Sequence, residues 1–200
     1  MSLGDEALAW PAREVARTPG ILMDFVVDEV TTPAGTVMVR NYLSHPAAVG
    51  VIVVDERGWI GYLRQYRHPV RRRLVEAPAG LLDQAGEDPL AAAQRELAEE
   101  FGYAAADWAV LVDLYVTPGS STQAVRIYLA RDLQAIPRPA DFVLADEEAD
   151  MELGWAPADE LVEAILAGRV MNQVLVSGVL AYQSALLSGR LADLRRPGQL

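Results

Sequence analysis

Apolar and polar positions along the chain predict a series of short strands broken by one capped helix and closed by two more. Ile21–Val30 and Thr36–Leu43 are rich in β-branched residues and flank the turn sequence Thr32-Pro33-Ala34-Gly35, which predicts a β-hairpin. Ala47–Val54 is a nearly continuous apolar run (AAVGVIVV), as expected of a strand covered on both faces. Asp55-Glu56-Arg57-Gly58 turns the chain and Trp59–Gln65 returns it; a short strand at Leu74–Ala77 then leads into Pro78-Ala79-Gly80. Trp108–Val116 and Gln123–Ala130 read as strands, the second alternating through Val125, Ile127 and Leu129, and Met151–Trp155 as a last short one. Ala158–Ala167 is an amphipathic helix with Gly168 beyond it, and Asn172–Leu187 is a more apolar helix stopped by Gly189. Residues 1–19 form a lead-in without a regular pattern. Residues 132–150, with Pro137, Pro139 and the acidic Asp146-Glu147-Glu148-Ala149-Asp150, read as a surface loop, and Leu191–Leu200 as a frayed end.

The most informative stretch runs from Ala79 to Tyr103. Asp88 is an N-cap, Pro89 suits the first helical position and Gly102 is a C-terminal stop, so the helix is expected over Pro89–Phe101. At roughly 100° per residue, Glu96, Glu99 and Glu100 fall in one arc beside an apolar stripe of Leu90, Ala93, Leu97 and Phe101. Like charges at this spacing repel by a few tenths of a kcal/mol per pair, and a cation between them reverses the sign. Hard divalent ions take oxygen ligands, and Mg2+ in particular is held by a few carboxylates together with substrate phosphates.

Composition narrows the classes. The 200 residues are 52% hydrophobic, enough for one sizeable core. A net charge of −11 argues against non-specific nucleic-acid binding. With no cysteine and only His45 and His68, thiolate sites and a histidine-rich zinc site are excluded. No apolar run is long enough to span a bilayer, and the first residues do not read as a signal peptide, so a cytoplasmic protein is expected. Against the acidic background, Arg64, Arg67, Arg71, Arg72 and Arg73 cluster just ahead of the metal helix. Their planar forks suit phosphate oxygens, and Arg67 is the leading member of a diphosphate clamp. Glu76 is placed either at the site or in a structural salt bridge, and His68 has a structural role.

Gly80, Glu87, Arg95, Glu96, Leu97, Glu99, Glu100 and Gly102 resemble the signature of the Nudix hydrolases, G-x5-E-x7-R-E-U-x-E-E-x-G-U with U aliphatic. The match is in register from Glu87 onward. One extra residue separates Gly80 from Glu87, and Tyr103 replaces the last aliphatic. The segment QYRHPVRRRLVEAPAGLLD, the TPG loop at 117–119, the DEEADM stretch and the helical C-terminus are similar to bacterial, especially actinobacterial, ADP-ribose pyrophosphatases of that superfamily. The similarity spans about residues 20 to 188.

That resemblance implies an α/β fold, an α/β/α sandwich around a mixed β-sheet, with an N-terminal antiparallel hairpin used for dimerisation. It divides the chain into 1–45 (lead-in and hairpin), 46–188 (catalytic domain) and 189–200 (flexible tail). It assigns metal binding to Glu96 and Glu100, with Glu99 assisting and the Ala79 carbonyl completing the shell, for Mg2+ with Mn2+ as a substitute. Arg95 orients the glutamates and pairs with Glu87. Glu148, with Glu147 beside it, serves as base or positions the water. Arg40 reaches a partner subunit's nucleotide in a homodimer, and Gly119 belongs to the substrate loop. The implied reaction is hydrolysis of a nucleoside diphosphate derivative, ADP-ribose giving AMP and ribose 5-phosphate. Asn41, where the family has a glutamate, and Thr122 and Gln123, where an acid is common, leave other substrates open: a nucleotide sugar, NADH or a dinucleoside polyphosphate. A nucleotide-binding sensor without turnover is the alternative of another class; the complete set of box acids speaks against it.

Overall fold

The computed structural model describes residues 3–82, 86–140, 142 and 150–198. It separates into two compact units, 1–46 with 117–123, and 47–116 with 124–200. The loop at 117–123, expected within the catalytic domain, thus groups with the N-terminal residues. The reason is backbone pairing: Leu43 N–H donates to Ser120 O (2.9 Å), Thr122 N–H donates to Leu43 O (3.0 Å), and His45 N–H donates to Thr122 Oγ1 (2.9 Å).

The first unit is a three-stranded antiparallel sheet, β1 (Ala12–Thr18), β2 (Asp24–Thr31) and β3 (Val37–Ser44), in that order. The predicted hairpin is β2–β3. Its turn closes through Gly35 N–H to Thr32 O (2.9 Å), with Gly35 at φ 81°, a conformation that favours glycine. The strand β1 lies where the sequence predicted only an unpatterned lead-in. Every residue of β1 is exposed, so no face demands apolar positions and no alternation marks it. Backbone pairing with β2 and the Arg13–Glu29 (2.6 Å) and Arg17–Asp24 (2.7 Å) contacts define it instead.

In the second unit β4 (Ala48–Val54), β5 (Trp59–Arg67), β6 (Arg72–Glu76), β7 (Ala79–Leu81), β8 (Tyr103–Tyr115), β9 (Ala124–Ala135) and β10 (Glu152–Pro157) form a mixed sheet. Its main order is β10-β5-β4-β9-β8, with β6 on β5 and β7 on β4. Only the β4–β9 pairing is parallel among the described strands. Val49, Val51 and Val53 of β4 face one core with Ala92, Ala93, Leu97 and Phe101 of the capped helix, whereas Ile52 and Val54 face the other with Leu175 and Val179. Every residue of β4 is buried, as its unbroken apolar run requires. The helices α2 (Ala158–Leu166) and α3 (Gln173–Leu187) supply that second core, with Asn172 Oδ1 capping α3 at Leu175 N–H (3.0 Å).

Two sequence expectations are corrected. β8 starts at Tyr103 rather than Trp108, because Ala104, Ala105 and Ala106 carry little strand signal of their own; β9 likewise runs on to Ala135, into the span predicted as loop. The tail is not frayed through its described length. Arg195 O accepts from Val110 N–H (2.8 Å) at the irregularity of edge strand β8, and Leu191 and Leu194 pack on the second core. Asp113 is shared by Arg126 (2.7 Å) and Arg195 (2.9 Å), and Asp107 by Arg131 (2.6 Å) and Arg196 (2.6 Å).

The Arg196 hydrogen bond, opposed by burial and reinforced by Arg131, lowers the Asp107 pKa. Burial raises that of Asp113, but Arg126 and Arg195 outweigh it and the net direction is also down. Carboxyls with depressed folded-state values stabilise at pH above the unfolded value of about 3.9 and lose that contribution as pH falls through the folded value. The Val110 amide is therefore expected to keep its hydrogen-exchange protection factor down to about pH 5 and to lose it below about pH 4. Protection unchanged across that range would mean that these pairs do not hold the tail.

Candidate active site

The capped helix forms where the sequence placed it, but in two parts. Asp88 accepts from Leu90 N–H (2.8 Å) and Ala91 N–H (3.2 Å), and an α-helical stretch, α1 (Pro89–Glu96), follows. Leu97–Phe101 then widens into a π turn, closed by Gly102 at φ 73°, where the expected α-helix ran unbroken. Such turns recur at functional sites. The wider turn means that Glu96 and Glu100 are not carried on one regular α-helical arc.

The glutamates are fixed individually. Glu100 is only 5% exposed, and its Oε2 accepts from Ala79 N–H (2.8 Å) on β7. Glu96 lies against the neighbouring residue: a Cβ built on Gly80 would overlap its carboxylate and come within 2.7 Å of its Cγ. β7 reaches this position by pairing with buried β4, Gly80 opposite Val49. Arg95 links the remaining acids. Its Nη1 donates to Glu96 Oε1 (2.7 Å) and Glu99 Oε2 (3.0 Å), and its Nε to Glu87 Oε1 (3.2 Å). Burial pulls the Arg95 pKa down, yet Glu87, Glu96 and Glu99 outweigh it, so the guanidinium stays firmly charged.

Among the described residues no three acidic side chains converge as a metal-binding group. Glu96 and Glu100 both lie against the Ala79–Gly80 backbone, and Arg95 holds Glu96 and Glu99 together. The donors are all oxygens, two of them carboxylates seated against the Ala79–Gly80 backbone, where Gly80 carries no side chain to displace Glu96, and this chemistry fits a hard divalent cation.

Arg67 is committed elsewhere within this unit. Its Nη2 donates to Glu76 Oε2 (2.8 Å), its Nε lies 3.2 Å from each Glu76 oxygen, and Glu76 is 2% exposed. Of the two placements left open for Glu76, the salt bridge is the one observed. Arg73 pairs with Asp150 (2.8 Å) and Glu152 (3.0 Å), and Arg64 lies 5.8 Å from the Tyr62 ring. The arginines that stood together in sequence therefore point to different partners. Arg40 and Gly119 come together in the first unit, lining a pocket of about 400 Å³ with Asp28, Tyr42, Ser120 and Ser121. The Tyr42 hydroxyl donates to Asp28 Oδ2 (3.1 Å), and Asp28 Oδ1 is buried without a hydrogen-bond partner. Asp28 and Tyr42 escaped the sequence reading because they are brought together by strand register, which leaves no local mark. Glu147 and Glu148 lie outside the described residues.

The mixed sheet between helical layers, with the acid-bearing helix docked over β4, defines a hydrolase class. Residues 44–174 match the NUDIX domain model, and the chain belongs to the Nudix family. It is a Nudix hydrolase, a family that uses divalent metal ions on small nucleoside diphosphate derivatives. The chain is 46% identical over 157 residues to an ADP-ribose pyrophosphatase of Mycobacterium tuberculosis, covering 78% of this chain and 74% of that one. It is 34% identical over 145 residues to an ADP-ribose pyrophosphatase of Bacillus subtilis, covering 72% and 78%. A solved structure described as an ADP compounds hydrolase superposes with a TM-score of 0.74 at 21% identity, over 94% of this chain and all of that one, and shows the shared fold. Among the described residues, no helix is long and apolar enough to cross a membrane.

Proposed function

We propose that this chain hydrolyses ADP-ribose to AMP and ribose 5-phosphate, with Mg2+ as the physiological cofactor and Mn2+ as a substitute. The observation that carries the substrate is the 46% identity, over three quarters of both chains, to a protein of that activity. Glu96 and Glu100, with Glu99 and the Ala79 carbonyl, would hold the ion, which when bound supplies a lowered water pKa and neutralises charge on the diphosphate. Arg95 orients Glu96 and Glu99 while Glu87 holds it in place. Arg67, which Glu76 keeps in one orientation, is assigned to a phosphate of the substrate. Arg40 and Gly119 contact the nucleoside or ribose end. Water adds its oxygen to one phosphorus as the bridging P–O bond breaks, and a carboxylate, Glu148 in this reading, takes the proton.

Incubation with ADP-ribose and Mg2+ is expected to release AMP and ribose 5-phosphate, with ADP-glucose, NADH and diadenosine polyphosphates cleaved more slowly. Cleavage of another of these alone would move the substrate and keep the chemistry. Tight nucleotide binding without any cleavage would favour the sensor.

The N-terminal sheet exposes Val15, Phe25, Val37 and Val39, and a second copy of the chain is the partner assigned to it. Gel filtration is expected to give a dimer. A monomer would remove the role of Arg40 across the interface.

A further inference from the structure

We infer that Arg138 is a positioning residue for the metal helix: its guanidinium fixes the carbonyl of Glu100 and thereby the direction of the Glu100 carboxylate. The inference rests on the metal-site reading above. A helix ends with carbonyls that have no partner within it. Here Gly102 N–H serves the Leu97 and Ala98 carbonyls, and the Glu100 carbonyl is met from outside the helix. Arg138 Nη2 supplies that donor at 3.0 Å, from a residue 38 positions later in sequence. Two residues earlier, Ile136 N–H donates to Gly102 O (3.0 Å). The segment beyond β9 thus lies along the end of the π turn and holds it at two points.

The local sequence suits this task. Arg138 lies between Pro137 and Pro139, and Ile136 and Arg138, each preceding a proline, are both restricted to extended backbone. The guanidinium is thereby presented on a stiff segment. A cation at the C-terminal end of a helix is also favoured by the helix dipole. Glu100 is consequently gripped twice: Ala79 N–H holds its carboxylate, and Arg138 holds its backbone. Without the second grip the π turn is free to tighten, and the carboxylate rotates away from the Ala79–Gly80 backbone.

The test is Mn2+ binding to the substrate-free protein, read from the free-ion electron paramagnetic resonance signal, for wild type, Arg138→Ala and Arg138→Lys, with thermal melts alongside. Partners that orient a metal ligand cost about 10- to 100-fold in metal affinity when removed. Arg138→Ala is accordingly expected to weaken Mn2+ at least tenfold. Arg138→Lys, which keeps a cationic donor, should stay within about threefold, below that range. Wild-type affinity in the alanine variant overturns the inference, and so does equal weakening in both variants. Should wild type bind Mn2+ yet leave ADP-ribose intact, the substrate reading fails while Arg138 is still judged by binding. Should wild type bind no Mn2+, the metal reading fails and takes this inference with it.

Discussion

Glu100→Gln is expected to lower kcat by about three orders of magnitude, roughly 4 kcal/mol of barrier, while the protein folds as before. The substitution keeps nearly the same shape, and the amide oxygen remains able to accept the Ala79 N–H that now lies 2.8 Å from Glu100. What disappears is one negative charge at a position only 5% exposed. Shape and the Ala79 hydrogen bond are both kept, so the metal-free variant should melt close to the wild-type temperature. The combination of near-unchanged stability with lost turnover isolates charge from packing. Steady-state kinetics across a Mg2+ titration, together with melts in chelator, measure both; wild-type kcat in the variant would sink the role given to Glu100.

The second large effect is expected from Gly80→Ala. Gly80 does not occupy the left-handed region, so alanine meets no backbone strain there. Its methyl, however, would occupy the space now filled by the Glu96 carboxylate, leaving even Cγ at 2.7 Å. The obstacle is the far end of a flexible side chain, which swings aside at small cost to stability. The cost to catalysis is larger: a misplacement of about 1 Å in an active-site group is worth about 100-fold in rate. Turnover should therefore fall by about that factor with little change in urea-unfolding midpoint. A variant as active as wild type would show that Glu96 does not need its present seat against Gly80.

The two variants probe two separate contacts of the Ala79–Gly80 backbone with the helix. This short strand is held by β4, whose all-apolar sequence anchors it between two cores. A stable platform for the acids thus comes from residues with no chemistry of their own. Arg95 serves the same end, since a single guanidinium bridges Glu96 and Glu99 and is itself tied to Glu87.

Sequence alone determined the elements whose information is local. The cap at Asp88, the spacing of Glu96, Glu99 and Glu100, the Gly102 stop and the apolar run of β4 each sit within about four turns of helix or one strand, where period and capping rules apply directly. Tertiary structure alone decided what depends on distant backbone meeting. β1 forms although none of its residues is buried, because β2 offers it an edge. The tail docks because the edge of β8 and the carboxylates of Asp107 and Asp113 await it. The basic cluster between residues 64 and 73 looked like one clamp because its members are neighbours in sequence. In the fold Arg67 meets buried Glu76 across β5 and β6, and the β10–β5 pairing brings Glu152, with Asp150 ahead of it, to Arg73. Arg138 carried no signal at all, since a side chain that serves a carbonyl 38 residues away leaves no periodicity behind. Residue type and spacing disclose the groups that could hold a metal; hydrogen bonds between segments remote in sequence decide which way those groups point.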